Sequence, residues 1–136
     1  MDLCAPSPEA LQLLLQNRAL FLIPVTPDGT SILHVQRIER YLQQMAKVSE
    51  HPVHACYVLT QFQPELPLHL DVRQALGRRL GDRLLPFVLR RSPAVAEALA
   101  QAMTVLDYAP SSGVAADFRV LTDWIKTLPS HVRSSK

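Results

Sequence analysis

Three short, continuous apolar runs alternate along the chain with longer segments in which apolar residues recur every three or four positions. The runs are residues 19–25, 53–62 and 84–89. Burial of every residue, rather than of every second one, is typical of strands in a parallel sheet that is covered on both faces. The alternation of such strands with helices predicts an α/β domain with a mostly parallel sheet.

The helical segments show the period of an amphipathic α-helix. In residues 31–48 the apolar stripe consists of Ile32, Val35, Ile38, Leu42 and Met45. Further helices are predicted at residues 7–18, 72–80, 93–101 and 115–127, and a short extended piece at residues 104–108. The last helix is expected to bury its apolar side chains, which are Phe118, Leu121 and Ile125 with Trp124 beside them. Pro86 has no backbone N–H to donate to a neighbouring strand. The third predicted strand, at residues 84–89, is therefore expected to be short or near an edge of the sheet.

Length and composition indicate one globular domain. The chain has 136 residues, of which 48% are hydrophobic and 19% charged. We expect a single domain over residues 1–128 and a polar tail over residues 129–136. The two cysteines are far apart and no run approaches the length of a membrane span, so the expected location is the cytoplasm.

Several complete catalytic centres are excluded by the residues present. A phosphate-binding loop requires glycines followed by Lys, and none of Gly29, Gly77, Gly81 and Gly113 precedes a Lys. The five His residues are scattered without metal-ligand spacing, and a Ser-His-Asp arrangement is expected by chance in such a chain. A receiver-like domain, which requires an acidic cluster at strand ends, is the least favoured alternative.

Ligands of parallel α/β sheets bind at the carboxyl ends of the strands. Polar residues follow the three predicted strands, at positions 26–29 (TPDG), 60–63 (TQFQ) and 90–93 (RRSP). Each segment is also an ordinary turn. The pair Arg90 and Arg91, together with further arginines between positions 73 and 83, is compatible either with a patch that faces phosphate or DNA or with a solvated surface. The formal charge of +2 does not by itself indicate nucleic acid.

Several blocks of the sequence resemble ParA/MinD-type ATPases, in matching order and spacing. Residues 88–112 (VLRRSPAVAEALAQAMTVLDYAPSS) are similar to the carboxyl-terminal signature of that family, which runs from I-P-R through E-A to P-V-x-x-Y-x-P-x-S. Residues 22–28 (LIPVTPD) resemble its L-I-P-V-x-P-D strand, and residues 115–121 (AADFRVL) its final helix. Residues 2–7 (DLCAPS) fall where the family has its Walker B block. Within the family, the tail is most similar to the cellulose-biosynthesis members.

The resemblance implies a three-layer fold like that of P-loop NTPases. ATP and Mg²⁺ are the cofactors of the parent family, and the alternative for this chain is that it binds neither. It implies that Asp2 corresponds to the Walker B aspartate near the metal, and that Gln61, Arg90, Ser92 and Pro93 match loops that surround the adenine base. It also implies a homodimer or a partner in the cellulose synthesis and secretion machinery, with any membrane association through such partners.

The chain departs from the family pattern at its beginning. Family members carry a deviant Walker A loop about a hundred residues before the Walker B block, and these 136 residues contain no such loop. We therefore expect the incomplete, carboxyl-terminal half of the ATPase fold, without hydrolysis of its own. The alternatives are a non-catalytic interaction or scaffold module, and a partition-type fragment that acts in DNA segregation. An exposed sheet edge in such a half predicts marginal stability or self-association.

Overall fold

The computed structural model describes residues 20–48 and 54–128, which form three strands and five α-helices. The elements in chain order are β1 (Leu20–Val25), α1 (Ser31–Val48), β2 (His54–Phe62), α2 (Pro67–Leu80), β3 (Leu84–Arg90), α3 (Pro93–Ala100), α4 (Val105–Tyr108) and α5 (Gly113–Lys126), with a 3-10 turn at Gly81–Arg83. The predicted helix 7–18, the candidate residue Asp2 and the tail 129–136 lie outside the described residues.

The strands form one parallel sheet in the order β1-β2-β3, which confirms the predicted fold class. β1 and β2 pair without interruption from Leu20 opposite His54 to Val25 opposite Leu59. β3 is an outer strand of the described sheet, as expected from the missing backbone N–H of Pro86. Its register against β2 is irregular. Helices cover both faces, so the described part has three layers.

The first face of the sheet is covered by α1 and α2. Val35 and Leu42 of α1 are buried against β2, and Leu76 of α2 is fully buried with them. The predicted stripe of α1 is therefore confirmed. Because both helices connect strands that run in parallel, they lie on the same side, as right-handed crossovers require.

The second face is covered by α5. Phe118, Leu121 and Trp124 pack against a cluster formed by Val58, Leu85 and Leu89. The prediction that Ile125 is buried was wrong, since 38% of it is exposed. Successive helix residues point about 100° apart, so seating the larger indole of Trp124 against the sheet turns Ile125 outward.

A small cluster beside the sheet joins α3, α4 and the start of α5, through Ala94, Ala98, Val105 and Val114. The predicted extended piece at 104–108 was wrong, because residues Val105–Tyr108 form a helical turn. The Thr104 hydroxyl accepts a hydrogen bond from the Asp107 backbone N–H at 3.2 Å and donates one to its carboxylate at 3.1 Å. This reciprocal capping favours a helix start over an extended chain.

Strand β2 contains a bulge near its carboxyl end. The four residues from Leu59 to Phe62 lie opposite three residues of β3, from Val88 to Arg90. Gln61 lies inside this bulge, and its backbone adopts the left-handed region at φ 57°. The bulge reverses the alternation of side chains, so that Phe62 joins Leu59 in the core of the first face. Among the described residues, no helix is long and apolar enough to cross a lipid bilayer.

Candidate functional site

The carboxyl ends of β2 and β3 meet at one edge of the sheet, where they border an open cleft of about 420 Å³. Its walls come from the loop after β2 and from the loop between β3 and α3. The lining residues are Phe62, Gln63, Pro64, Glu65, Arg90, Arg91 and Pro93. The position is the one at which parallel α/β sheets bind ligands.

The loop after β2 is held in place by His69 of α2. The Gln63 backbone N–H donates to His69 Nδ1 at 2.9 Å, so this ring nitrogen is the acceptor that holds the start of the loop. His69 is buried and its ring lies 5.7 Å from that of Phe62, measured between centroids. The Arg73 guanidinium lies over the Phe62 ring, 5.7 Å from the ring centroid, and donates a hydrogen bond to the Pro86 carbonyl oxygen at 3.2 Å. These contacts fix the cleft wall on a rigid helix.

The end of β3 is held by Asp117 of α5. Arg90 donates from Nε to Oδ2 at 2.8 Å and from a terminal nitrogen to Oδ1 at 3.0 Å, and its backbone N–H donates to Oδ2 at 3.0 Å. Such a bidentate pair is the most directional ion pair available to Arg. The hydrogen bonds that Arg90 donates to Asp117, and then the charge of that carboxylate, raise the pKa of Arg90.

The Arg90 guanidinium crosses directly over Gly113, the first residue of α5. A Cβ at position 113 would lie 2.3 Å from a terminal nitrogen of Arg90 and 2.7 Å from its Cζ, which is far below any real contact. Gly113 is therefore required for the observed geometry of the ion pair, through close approach rather than through backbone conformation.

The loop from β3 to α3 combines strand pairing with a helix cap. The Arg91 backbone N–H donates to the Phe62 carbonyl at 3.0 Å, which closes the two strand ends against each other. The Ser92 hydroxyl accepts from the Ala94 backbone N–H at 3.2 Å, and Pro93 occupies the first helical turn. Ser92 and Pro93 thus form a regular helix start. The exposed side chain of Arg91 makes no hydrogen bond or ion pair to any described residue.

The structure brings together part of the predicted nucleotide site. Arg90 and Pro93 line the cleft, whereas Gln61 and Ser92 flank it and do not line it. Asp2 lies outside the described residues. Sequence reasoning included Gln63 only as part of the segment 60–63 and did not select Glu65, although both follow the end of a predicted strand. It also missed Asp117, whose contact with Arg90 depends on how α5 packs and has no local signal.

The arginines do not form one basic patch. Arg90 forms an ion pair with Asp117, and Arg83 forms one with Glu39 at 2.5 Å. The Arg73 guanidinium stacks over the ring of Phe62. Arg78 and Arg79 are exposed in the last turn of α2, away from the cleft. The interpretation as a continuous surface facing phosphate is therefore not supported by the packing.

A second polar cluster lies between α1 and the sheet. The hydroxyl of the fully buried Tyr57 donates to Glu39 Oε2 at 2.6 Å, and Arg83 holds the other carboxylate oxygen. Burial, followed by the Glu39 carboxylate, raises the pKa of Tyr57. Burial acts to raise the pKa of Glu39 as well, but the hydrogen bonds from Arg83 and Tyr57 together outweigh it and lower that pKa. The cluster ties α1, β2 and the 3-10 turn together, away from the cleft.

The turn after β1 uses its polar groups internally. Asp28 accepts at one carboxylate oxygen from the Thr30 backbone N–H at 2.8 Å and from the Thr30 hydroxyl at 2.7 Å, which lowers the pKa of Asp28. The buried Ser31 hydroxyl donates to the Thr26 carbonyl. A second cleft of about 560 Å³ borders this turn and the start of α1. In the described ranges, no three side chains of the His, Cys, Asp and Glu types come together as a metal site.

Comparison with known proteins adds one finding. The family model described as "Cellulose biosynthesis protein BcsQ" matches residues 25–125, a span that includes all three strand ends and the whole cleft. No curated protein sequence matches the chain.

Proposed function

The chain belongs to the BcsQ family of ParA/MinD-like cellulose biosynthesis proteins, and from this membership we propose that it forms the base-contacting side of a nucleotide-dependent switch in cellulose synthesis and secretion. The family assignment supports the link to cellulose. The nucleotide contact, the cellular positioning of the machinery and a cytoplasmic location are parts of the proposal.

The cleft at the carboxyl ends of β2 and β3 is the observation that carries the nucleotide role. An adenine base is flat and presents both an amine donor and ring-nitrogen acceptors. The cleft offers the apolar rings of Pro64 and Pro93, the amide of Gln63 and the carboxylate of Glu65. Apolar walls with a few polar groups are the usual composition of such sites. Arg91 lines the cleft with an exposed side chain that has no partner among the described residues, whereas Arg90 is paired with Asp117, so Arg91 is the cation available to an anion at this edge.

The phosphates and the metal require groups from elsewhere. The 136 residues contain no glycine loop that ends in Lys, and the cleft carries one carboxylate, Glu65. Mg²⁺ in such sites is held through carboxylates, waters and phosphates, so the described residues do not fit that ion. The family resemblance assigns the metal to Asp2. These residues are therefore proposed to bind nucleotide weakly and not to hydrolyse ATP alone.

Calorimetric titration with ATP, ADP and adenosine in the presence of Mg²⁺ tests the proposal. We expect weak binding in which adenosine competes, because the contact is with the base. Gln63→Ala and Glu65→Ala should weaken this binding, whereas Glu97→Ala, an exposed carboxylate on α3 outside the cleft, should not. Binding that depends on the triphosphate, or turnover of ATP, would contradict the assignment of this cleft to the base.

A non-catalytic interaction module is the second candidate function. The observation that favours it is that Arg90 and Ser92 already have structural partners in Asp117 and the Ala94 N–H. Absence of nucleotide binding up to millimolar concentration would favour this candidate. Its expected partners are a second copy of the chain or a component of the cellulose synthase machinery, and co-sedimentation with the purified complex measures the latter. A partition-type role predicts instead retention on non-specific duplex DNA.

A further inference from the structure

The outward face of α1 carries large apolar side chains that the fold leaves in solvent. Leu33 is 46% exposed, Tyr41 42% and Val48 75%. They stand eight and then seven residues apart, so on a regular helix they lie on one side over a length of about 22 Å. The core-facing stripe of the helix, with Val35 and Leu42, lies on the opposite side.

Every charged residue on this outward face is basic. Arg37, Arg40 and Lys47 are all exposed and lie between or beside the apolar positions. The one acidic residue of α1, Glu39, is turned toward the sheet, where Arg83 and Tyr57 bind both of its oxygens. The face therefore has positive charges without a neighbouring negative charge on the same helix.

The spacing of the exposed positions matches what a second helix needs. Leu33, Arg37, Tyr41, Gln44 and Val48 follow one another at intervals of four, four, three and four residues. Leu33, Arg37 and Tyr41 form a row at intervals of four, and such rows on a helix surface are the ridges that pack into the grooves of a second helix. Apolar side chains at the first, middle and last of these positions would form the contact, with the cations along its border.

We propose that the outward face of α1 is a docking site for an acidic amphipathic helix of a partner protein. The apolar row Leu33, Tyr41 and Val48 takes the apolar stripe of that helix, and Arg37, Arg40 and Lys47 pair with its carboxylates. This surface is separate from the cleft at the carboxyl ends of β2 and β3, so the inference does not depend on nucleotide binding.

Charge and geometry favour this occupant over three others. A second copy of the same face would set arginines against arginines, which costs affinity through repulsion. Duplex DNA offers phosphates to the cations but leaves the apolar row against a hydrated surface. A membrane-bound amphipathic helix inserts its apolar face, and in α1 that face is already occupied by the core of the protein.

Two synthetic helical peptides of equal length test the proposal with the full chain. Both carry Leu at the a and d positions of the heptad; one has Glu at the e and g positions and the other has Lys. We expect the Glu peptide to bind and the Lys peptide not to bind, as measured by fluorescence anisotropy. The double variant Arg37→Glu with Arg40→Glu should weaken binding of the Glu peptide about tenfold or more.

Two control variants separate this site from general effects. Arg79→Glu with Lys126→Glu changes the net charge by the same amount at exposed positions on other helices and should leave binding unchanged. Leu33→Gln with Val48→Gln removes apolar area at exposed positions, where the cost in stability is small, and should weaken binding. Equal binding of both peptides, loss of binding in the first control, or tighter binding to DNA or to phosphatidylserine vesicles than to the Glu peptide would overturn the proposal. Absence of binding at millimolar peptide would do so too.

Discussion

Asp117 is the residue on which the end of β3 depends most directly, because it accepts three hydrogen bonds from Arg90. Its side chain is 13% exposed, whereas that of Arg90 is 51% exposed, so solvent screens part of the interaction. We expect Asp117→Ala to lower the free energy of unfolding by about 1 kcal/mol, as measured by urea denaturation.

Asp123 and Gly113 provide the comparisons for this prediction. Asp123 lies on the same helix, is exposed and makes no side-chain hydrogen bond to a described residue, so Asp123→Ala should change stability by less than about 0.5 kcal/mol. Gly113→Ala displaces the Arg90 guanidinium without removing either charge. In that background Asp117→Ala should cost clearly less. An unchanged cost would mean that the ion pair does not stabilise the fold.

Glu39 should make stability depend on pH in the acidic range. Its pKa is lowered below the ordinary value of 4.5 in the folded protein, so the unfolded chain binds a proton more readily. The stabilisation from Glu39 is therefore fully present above pH 4.5 and is lost as the pH falls through the folded pKa. The difference in unfolding midpoint between the wild type and Glu39→Gln should shrink as the pH is lowered from 7 through this range. A constant difference would show that the carboxylate charge is not involved.

At the level of elements, the bulge in β2 predicts that a glycine substitution at Gln61 and one at the neighbouring Thr60 affect stability differently. Gln61 adopts φ 57°, where a residue with a Cβ is strained by roughly 1 kcal/mol. Gln61→Gly should therefore leave the free energy of unfolding unchanged or raise it slightly. Thr60→Gly, one residue earlier and without a positive φ, should lower it by about 1 kcal/mol. Equal losses in both variants would argue against the left-handed conformation. The Gly variant also removes a predicted nucleotide contact without disturbing the fold.

The elements were predictable where burial is periodic, and the errors have local physical causes. The apolar stripe of α1 is recognisable because its burial follows the period of the helix. The strands are recognisable because each is a short run of consecutive apolar residues. The turn of helix at Val105–Tyr108 was missed although Thr104 and Asp107 carry a capping pattern, because four residues are too short to show a period. The orientation of Ile125 depends on competition with Trp124 for the sheet, which a helical wheel does not weigh.

The candidate site was predictable only in its position. Parallel strands place their carboxyl ends at one edge, and Arg90 and Pro93, which follow such a strand end, line the cleft there. Their role as nucleotide contacts stays a prediction. The rule does not say which side chains are already engaged. That Asp117 binds Arg90 follows from the packing of α5 across β3, and the two partners are 27 positions apart in the sequence.

For the molecule as a whole, the outer edge of β1 has no strand partner within residues 20–48 and 54–128. An unpaired edge with apolar neighbours favours association between copies. We expect the isolated chain to self-associate as its concentration rises, as measured by sedimentation velocity. Leu20→Lys, at the start of this edge, should shift the distribution toward monomer.

Leu99 provides the matched control for the association experiment. It is 78% exposed on α3, away from β1, so Leu99→Lys adds the same charge at a different surface. If Leu99→Lys rather than Leu20→Lys produces the monomer, the apolar face of α3 drives association. A wild-type chain that is monomeric at all concentrations and melts cooperatively would contradict the prediction altogether.

The position of Trp124 gives the molecule an internal optical reporter. It is the one tryptophan of the chain, and its indole lies between α5 and the second face of the sheet. Its emission therefore changes when that layer separates, whereas far-ultraviolet circular dichroism averages over all helices and strands. Coincident melting curves from the two signals would mean that the layers unfold together as one cooperative unit. An earlier fluorescence transition would mean that α5 detaches first and releases Arg90 along with it.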